Sequence, residues 1–195
     1  RDSANNGHFD ALDIPDLRGI RFTAPYGRNG RFDSLREFVR NVIVNEFNGP
    51  ESAPVLMDGI IAYMLEFDFL SNPKLRPNGT LRENTSPAAK RGEAIFHRTF
   101  TQMGGMSCAT CHIPSSNFID HRRHDIGTVA GSGENSRDRA LDTPTLLGIN
   151  YSAPYFHDGS QPDIRSVNLW FNTNFELGLY PIGGSVVQLI RAVDS

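Results

Sequence analysis

The sequence predicts a mostly α-helical fold, built from a duplicated unit whose first copy is incomplete. Three stretches carry apolar side chains at helical spacing, at residues 34–47, 55–64 and 86–100. A gapless internal repeat relates residues 13–39 to residues 142–168. The chain of 195 residues also contains 18 Gly and 12 Pro, so much of it must form loops between the helices.

The helices are predicted from their start signals as well as from their periodicity. Ser34 and Glu37 form a capping box before the first apolar stripe, and Ser86 followed by Pro87 marks the start of the third helix. The second helix follows the Pro-containing segment 48–54, and a last stripe near the C-terminus matches it. We interpret these stripes as faces that pack in the core: Leu35, Phe38, Val39, Val42 and Ile43; Val55, Leu56, Ile60, Ile61 and Met64; Val186, Leu189, Ile190 and Val193.

The internal repeat indicates an ancient duplication, because chance does not readily produce so many identities in so short a window. A helix precedes the second copy but not the first. We therefore predict that residues 1–80 are the tail of an N-terminal domain and residues 81–195 a C-terminal domain. The identical pairs are Asp13, Pro15, Leu17, Gly19, Ile20, Ala24, Pro25, Tyr26, Gly30 and Arg36 with Asp142, Pro144, Leu146, Gly148, Ile149, Ala153, Pro154, Tyr155, Gly159 and Arg165.

Both cysteines of the chain lie in one pentapeptide, Cys108-Ala109-Thr110-Cys111-His112. Three kinds of site use such a motif: a dithiol redox switch, part of a zinc site, and a covalent haem attachment. Haem c attachment uses all three special residues, with Cys108 and Cys111 as thioethers and His112 as the proximal iron ligand. Two cysteines three residues apart lie on the same side of a helical turn, as neighbouring vinyl groups require.

The other two kinds of site fit the surrounding sequence less well. A thioredoxin-like switch needs a βαβ context, whereas a helix and a Gly-rich turn precede this motif. A zinc ion would take Cys108, Cys111 and His112 with His121 or His124, and adjacent ligands at 111 and 112 make an awkward tetrahedral pair. We therefore predict haem c as the cofactor and leave zinc and the switch as alternatives.

Composition excludes several other classes of function. The net charge is −3, with no basic run typical of nucleic-acid binding. No apolar stretch approaches the roughly 20 residues that span a bilayer. Haem c is attached outside the bacterial cytoplasm, so the motif predicts a periplasmic or extracellular protein. The chain begins "RDSANNGHFD", which reads as the middle of a longer sequence, so we expect residues upstream of Arg1.

Several segments together resemble the bacterial di-haem cytochrome c peroxidases and the related MauG-like enzymes. These are "RGEAIF", "MSCATCH", "HDIG" and "DTPTLLGINYSAPYFHDGS", within a duplicated architecture. The resemblance implies two cytochrome-c-like domains with one haem each, in which a C-terminal haem transfers electrons to a peroxidatic N-terminal haem. The missing N-terminal haem domain and an electron donor or acceptor protein would then be the partners.

The first unit departs from the family where peroxide chemistry takes place. The family's relay Trp aligns with Arg28, and its pocket Gln and Pro align with Phe38 and Val42. Neither Phe nor Val can move a proton during O–O cleavage. Glu46 is the remaining catalytic candidate, and a solvated carboxylate on a helix is the simpler interpretation of it.

The second unit departs from the family at the sixth iron ligand. The family's Met or Tyr aligns with Phe171, which cannot bind iron. His157 and His124 have family counterparts near the haem, so each is a candidate for the sixth ligand or for a contact with a propionate, and for His157 we favour the propionate. The resemblance also implies a Ca²⁺ between the units, held in part by the backbone carbonyls of Ser152 and Pro154.

The predicted function is haem-based redox chemistry, as part of a di-haem peroxidase-like oxidoreductase whose C-terminal haem relays electrons. Two alternatives stay open at the level of sequence. One is a pure electron-transfer cytochrome c whose iron has two strong ligands, and the other is a MauG-like or oxygenase-type enzyme with an open haem.

Overall fold

The computed structural model of the chain describes residues 16–27, 29–128 and 139–179. Within these ranges, short turns and long loops connect five α-helices, so the prediction of a mostly helical fold is confirmed there. The helices are α1 (Leu35–Arg40), α2 (Pro54–Leu65), α3 (Pro87–His97), α4 (Cys108–Cys111) and α5 (Ile164–Asn174). None of the helices in the described ranges is both long and apolar enough to cross a bilayer.

The helix starts follow the predicted caps. The Ser34 hydroxyl accepts a hydrogen bond from the Glu37 backbone N–H at 3.2 Å, and Ser86 accepts one from Ala89 at the same distance. Helix α1 continues directly as a π-helix over Asn41–Glu46. Helix α3 ends at His97, earlier than the predicted end near residue 100. The last predicted stripe, at 186–193, lies outside the described residues.

A small antiparallel sheet flanks the long loop after the Cys-x-x-Cys-His motif. Strand β1 (Arg123–His124) pairs with strand β2 (Leu141–Asp142), with Arg123 opposite Asp142. This pairing brings the start of the second repeat, at Asp142, back to the loop that follows the motif.

Three apolar clusters form the core, and each contains one of the predicted stripes or repeat segments. Helix α3 contributes Ile95 to one cluster and Ala89 and Phe96 to another, so it stands between them. The clusters are Ile20, Leu35, Val39 and Met57; Leu81, Ala89, Phe96, Phe118 and Leu146; and Ile95, Phe100, Tyr155, Ile164, Leu177 and Leu179.

The predicted packing face of α2 is wrong in part. Met57 is buried and Ile61 and Met64 pack beside it, but Val55 and Leu56 are 74% and 63% exposed. Positions 57, 61 and 64 share one face of a helix, whereas 55 and 56 point away from it. Ile60, at 38% exposed, also lies outside the buried face. The helix is apolar on both sides, so composition alone could not identify the side that faces this core.

Around Tyr26 and Tyr155, the two repeat segments adopt the same local structure. Tyr26 donates a side-chain hydrogen bond to the Ile20 carbonyl at 3.1 Å, and Tyr155 donates one to the Ile149 carbonyl at 2.8 Å. Each tyrosine follows a cis proline, at Ala24–Pro25 and Ala153–Pro154, and each pairs with a residue six positions later. At these tyrosines, sequence identity in the repeat therefore corresponds to the same side-chain hydrogen bond and the same backbone bridge.

Replacing Gly79 with alanine should destabilise the fold strongly. Gly79 has φ +77°, and a Cβ there would lie 2.2 Å from the backbone carbonyl oxygen of Pro114, just after the motif. A backbone atom cannot move aside as a side chain can, so we expect a loss of about 2–4 kcal/mol in the free energy of unfolding.

Gly104→Ala provides the matched control. Gly104 has φ +65°, but a Cβ at this position would have no atom of the described residues within 4 Å beyond its chain neighbours. Only the backbone strain remains, so we expect a loss of about 1–2 kcal/mol. Denaturant unfolding of both variants measures the difference. Equal losses would contradict close packing of residue 79 on Pro114.

Replacing Asp142 with asparagine should stabilise the fold at neutral pH. Burial raises the pKa of Asp142 to about 6, although Arg123 acts in the opposite direction. The folded state therefore binds more protons than the unfolded state between about pH 4 and pH 6, and stability falls as pH rises through that window. The gain of Asp142→Asn over the parent should be near zero at about pH 4 and about 1–3 kcal/mol at pH 7. A gain that does not depend on pH in denaturant unfolding would show that the carboxyl is solvated.

Candidate haem-attachment site

The Cys-x-x-Cys pair occupies a single helical turn, α4. Ser107 caps this turn, and its backbone N–H donates to the Thr110 hydroxyl at 3.0 Å. Helix α3 packs against α4, and Cys108 lies against the cluster that contains Phe96 and Phe118. Both thiols are free and half-buried. The predicted geometry, with two sulfurs on one side of a turn, is thus compatible with this fold.

His112 is held in one orientation immediately after the turn. Its Nδ1 lies 3.1 Å from the carbonyl oxygen of Phe118. A carbonyl can only accept, so Nδ1 carries the proton and the neutral ring has its lone pair on Nε2. Burial lowers the pKa of His112, which favours this neutral form. The ring therefore offers one nitrogen as a metal ligand and uses the other to fix its position.

The two thiols are poorly suited to a dithiol switch. Burial raises the pKa of Cys108 to about 11, and burial together with the nearby Asp120 carboxylate raises the pKa of Cys111. Reactive redox cysteines have lowered pKa values, because the thiolate is the nucleophile. The environment of this motif instead raises the pKa of both cysteines and so disfavours the thiolate.

His124 and Asp120 lie next to Cys111. The His124 Nε2 is 2.7 Å from an Asp120 carboxylate oxygen, and one ligand atom from each of Cys111, Asp120 and His124 lies within 4.8 Å of the others. Burial alone would raise the pKa of Asp120, but hydrogen bonds from His124, Thr143 and the Arg122 backbone outweigh it and hold the pKa below its usual value. Sequence reasoning missed Asp120, because a lone aspartate in a loop carries no spacing signal.

His121 has a different neighbour from His124. Its Nδ1 is 2.6 Å from the Ala24 carbonyl oxygen, so it connects the loop after the motif to the first repeat. The sequence suggested a zinc site in which His121 or His124 joins Cys108, Cys111 and His112. The described structure does not bring these residues together as one group of ligands. Among the described residues, only His124 approaches a motif cysteine in a potential metal-binding group.

His157 and Phe171 lie in the second repeat and the helix after it. Both ring nitrogens of His157 are buried. Phe171 packs in an aromatic group, with ring centroids 5.2 Å from Trp170, 5.9 Å from Phe175 and 6.2 Å from Phe156. The residue that aligns with the family's sixth ligand is therefore part of an apolar aromatic contact.

The remaining predicted site residues lie in separate places. Glu46 ends the π-helix of the first unit, where Asn41 donates to its carboxylate at 3.2 Å and Arg31 lies 3.9 Å away. Ser152 donates its hydroxyl to the Ile149 carbonyl at 3.1 Å, next to the cis bond before Pro154. In the structure, Glu46 and Ser152 each make contacts with residues near them in the sequence.

The donor set of the motif fits a covalently attached haem. Two thiols on one turn can reach neighbouring vinyl groups, and the Nε2 lone pair of His112 suits the iron. The apolar side chains around Cys108 match the hydrophobic ring of the cofactor.

Comparisons with known proteins show which family this region resembles. Residues 87–178 match the family model described as di-haem cytochrome c peroxidase. Hydrazine synthase subunit gamma of Kuenenia stuttgartiensis is 27% identical over 150 residues, which cover 58% of this chain and 40% of that protein. The methylamine utilization protein MauG of Methylophilus methylotrophus is 33% identical over 91 residues, which cover 42% of this chain and 26% of MauG. The chain thus spans less than half the length of these curated relatives.

Two solved structures share the fold. A structure of Kuenenia stuttgartiensis hydrazine synthase has a TM-score of 0.65 at 21% identity, and the match covers 93% of this chain and 71% of the hydrazine synthase chain. The structure of a MauG-like protein associated with microbial copper homeostasis has a TM-score of 0.66 at 15% identity, and the match covers 98% of this chain and 76% of that protein's chain. The resemblance to the di-haem cytochrome c peroxidase and MauG family that the sequence predicted is thus confirmed for the C-terminal portion of the chain, over residues 87–178.

Proposed function

We propose that this chain is a haem c redox protein and forms part of a di-haem peroxidase-like oxidoreductase. Cys108 and Cys111 hold the haem as thioethers, and His112 binds its iron. The observation that carries the proposal is the Nδ1 contact of His112 with the Phe118 carbonyl, which leaves Nε2 as the ligand directly after a Cys-x-x-Cys turn. The family implies haem c and haem-based redox chemistry.

The bound haem would supply one-electron transfer, and the protein's own residues determine how it is held. The Phe118 carbonyl fixes the imidazole tautomer, and the carboxylate of Asp120 lies close enough to His112 to favour a more basic ring. The cluster around Phe96 and Phe118 covers the Cys108 side of the attachment turn with apolar side chains.

The C-terminal haem is proposed to relay electrons. This role is supported by the aromatic packing of Phe171, which supplies no ligand atom, and by the buried imidazole of His157 in the preceding loop. A relay haem exchanges electrons with a donor or acceptor protein and needs no open iron position. Because haem c is attached outside the bacterial cytoplasm, we propose a periplasmic location for this protein.

The first unit, residues 1–80, is proposed to be completed by a haem segment that this chain does not contain. Support comes from the outer side of α2, where Val55, Leu56 and Tyr63 are 74%, 63% and 68% exposed, and from Phe47 at 75%. Large apolar side chains gathered on one helix face usually contact another element. Glu46 would be the acid–base residue of the completed unit.

A Ca²⁺ between the units is a further part of this proposal. Backbone carbonyls of Ser152 and Pro154 would contribute hard oxygen ligands at a rigid turn. Metal analysis after dialysis without chelator should find one calcium per longer polypeptide. If the dialysed polypeptide contained no calcium, the proposal of a Ca²⁺ between the two units would be refuted.

Haem retention tests the central proposal. The full chain is produced in a host that matures c-type cytochromes and is then extracted with acidified acetone. The haem should stay with the protein, and pyridine haemochrome analysis should give one haem for this chain and two for a polypeptide extended at the N-terminus. Free extraction of the haem would refute covalent attachment, whereas one haem in the extended polypeptide would refute only the di-haem arrangement.

A further inference from the structure

A second set of potential metal ligands lies beside the haem-attachment turn. It consists of Cys111, Asp120 and His124, and one ligand atom of each lies within 4.8 Å of the others. Cys111 is partly accessible and the His124 side chain is 34% exposed, whereas the Asp120 side chain is 7% exposed, so an ion from solvent can reach the set from the side of Cys111 and His124. His112 does not belong to this set.

We propose that, before haem is attached, Cys111, Asp120 and His124 bind a divalent transition-metal ion of the zinc type. One thiolate, one imidazole and one carboxylate are donors that Zn²⁺ accepts, and a water molecule can complete a tetrahedral site. The 2.7 Å contact between His124 and Asp120 already holds two of the ligands together. Two tetrahedral ligands at about 2.0–2.1 Å from one ion lie about 3.3 Å apart, so this contact has to open by about 0.6 Å.

The binding step balances without any other reactant. The S–H bond of Cys111 breaks, a sulfur–zinc bond forms, and the proton passes to the solvent. Once a thioether has formed, Cys111 has no proton to lose and its neutral sulfur is a weak donor. Zinc and haem are therefore mutually exclusive at this cysteine.

The ligands also lie close together in sequence, between positions 111 and 124. An ion can organise such a short segment directly, because the free energy of metal binding contributes to folding. The inference concerns the chain with free thiols and does not depend on the proposed redox function, which haem retention tests separately.

The test uses the full chain made without haem-attachment machinery, with Zn²⁺ alone as the probe in competition with a chromophoric chelator. We expect one Zn²⁺ per chain. Cys111→Ser, Asp120→Asn and His124→Gln should each weaken binding by at least about tenfold. His121→Gln is the matched control, since His121 contacts the Ala24 carbonyl instead, and it should bind as the parent does.

Two further measurements decide the ligand set. Co²⁺ substitution should give a charge-transfer absorption for a single thiolate, and the haem-loaded protein should bind Zn²⁺ at least about tenfold more weakly than the free-thiol chain. No stoichiometric binding, equal binding by the haem-loaded protein, or a loss in Cys108→Ser as large as that in Cys111→Ser would each overturn the proposal. The last result would mean that the ion uses the Cys-x-x-Cys pair instead.

Discussion

Replacing Cys108 and Cys111 together with serine is expected to abolish covalent haem in this chain. Serine keeps the size and the helical turn but cannot form a thioether. Both cysteines lie on one helical turn, with Cys108 against an apolar cluster, and the sequence contains no third cysteine that could take over their role. The His112 ring should remain bonded to Phe118, but a single iron–nitrogen bond does not withstand acidified acetone.

Intact mass and acidified-acetone extraction measure this effect directly. The double variant should show the mass of the bare chain, whereas each single variant can keep one thioether. Ser115→Ala is the control, because residue 115 is exposed close to the motif and has no role in attachment. A haem mass that persists in the double variant would mean that the cysteines do not carry it.

The helical turn of the Cys-x-x-Cys motif and the helix starts elsewhere in the chain could be predicted from the sequence, because their determinants are short-range. Serine caps at 34 and 86 begin helices as expected. The repeat predicted that Tyr26 and Tyr155 would occupy equivalent places, and both donate to a carbonyl six residues earlier. Such features depend on hydrogen bonds within a few residues, which the sequence encodes directly.

The partners of long-range contacts could not be predicted in the same way. Asp120 acquires its position beside Cys111 and His124 only after the loop folds back, and His121 reaches a carbonyl in the first repeat. Similarly, the apolar pattern of α2 allows either side to be buried, and tertiary packing selects the side of Met57. Periodicity identifies an apolar helix but not the neighbour that covers it.

The oxidised protein is expected to contain a low-spin haem without a methionine ligand. The position of the family's ligand holds Phe171, whose ring packs 5.2 Å from Trp170 and has no lone pair for iron. Of the two candidate histidines, His124 already uses Nε2 in its 2.7 Å contact with Asp120. In the haem-loaded protein His157 is therefore expected to supply the second nitrogen, instead of the propionate contact that the sequence favoured for it, which gives a bis-histidine haem of comparatively low potential.

Magnetic circular dichroism of the oxidised protein and two variants tests this expectation. His157→Ala should convert the haem to a high-spin form that binds carbon monoxide after reduction, because no other described residue is expected to replace the lost nitrogen. His124→Ala is the matched control and should keep the low-spin spectrum, since removing the partner of Asp120 leaves the iron ligands in place. A low-spin spectrum in His157→Ala together with a high-spin spectrum in His124→Ala would show that His124, and not His157, is the sixth iron ligand. A methionine-to-iron charge-transfer band in the parent would contradict ligation by either histidine and indicate the methionine ligand of an ordinary peroxidase. A high-spin spectrum in the parent would mean that the C-terminal haem is an open site for peroxide or oxygen and not a relay.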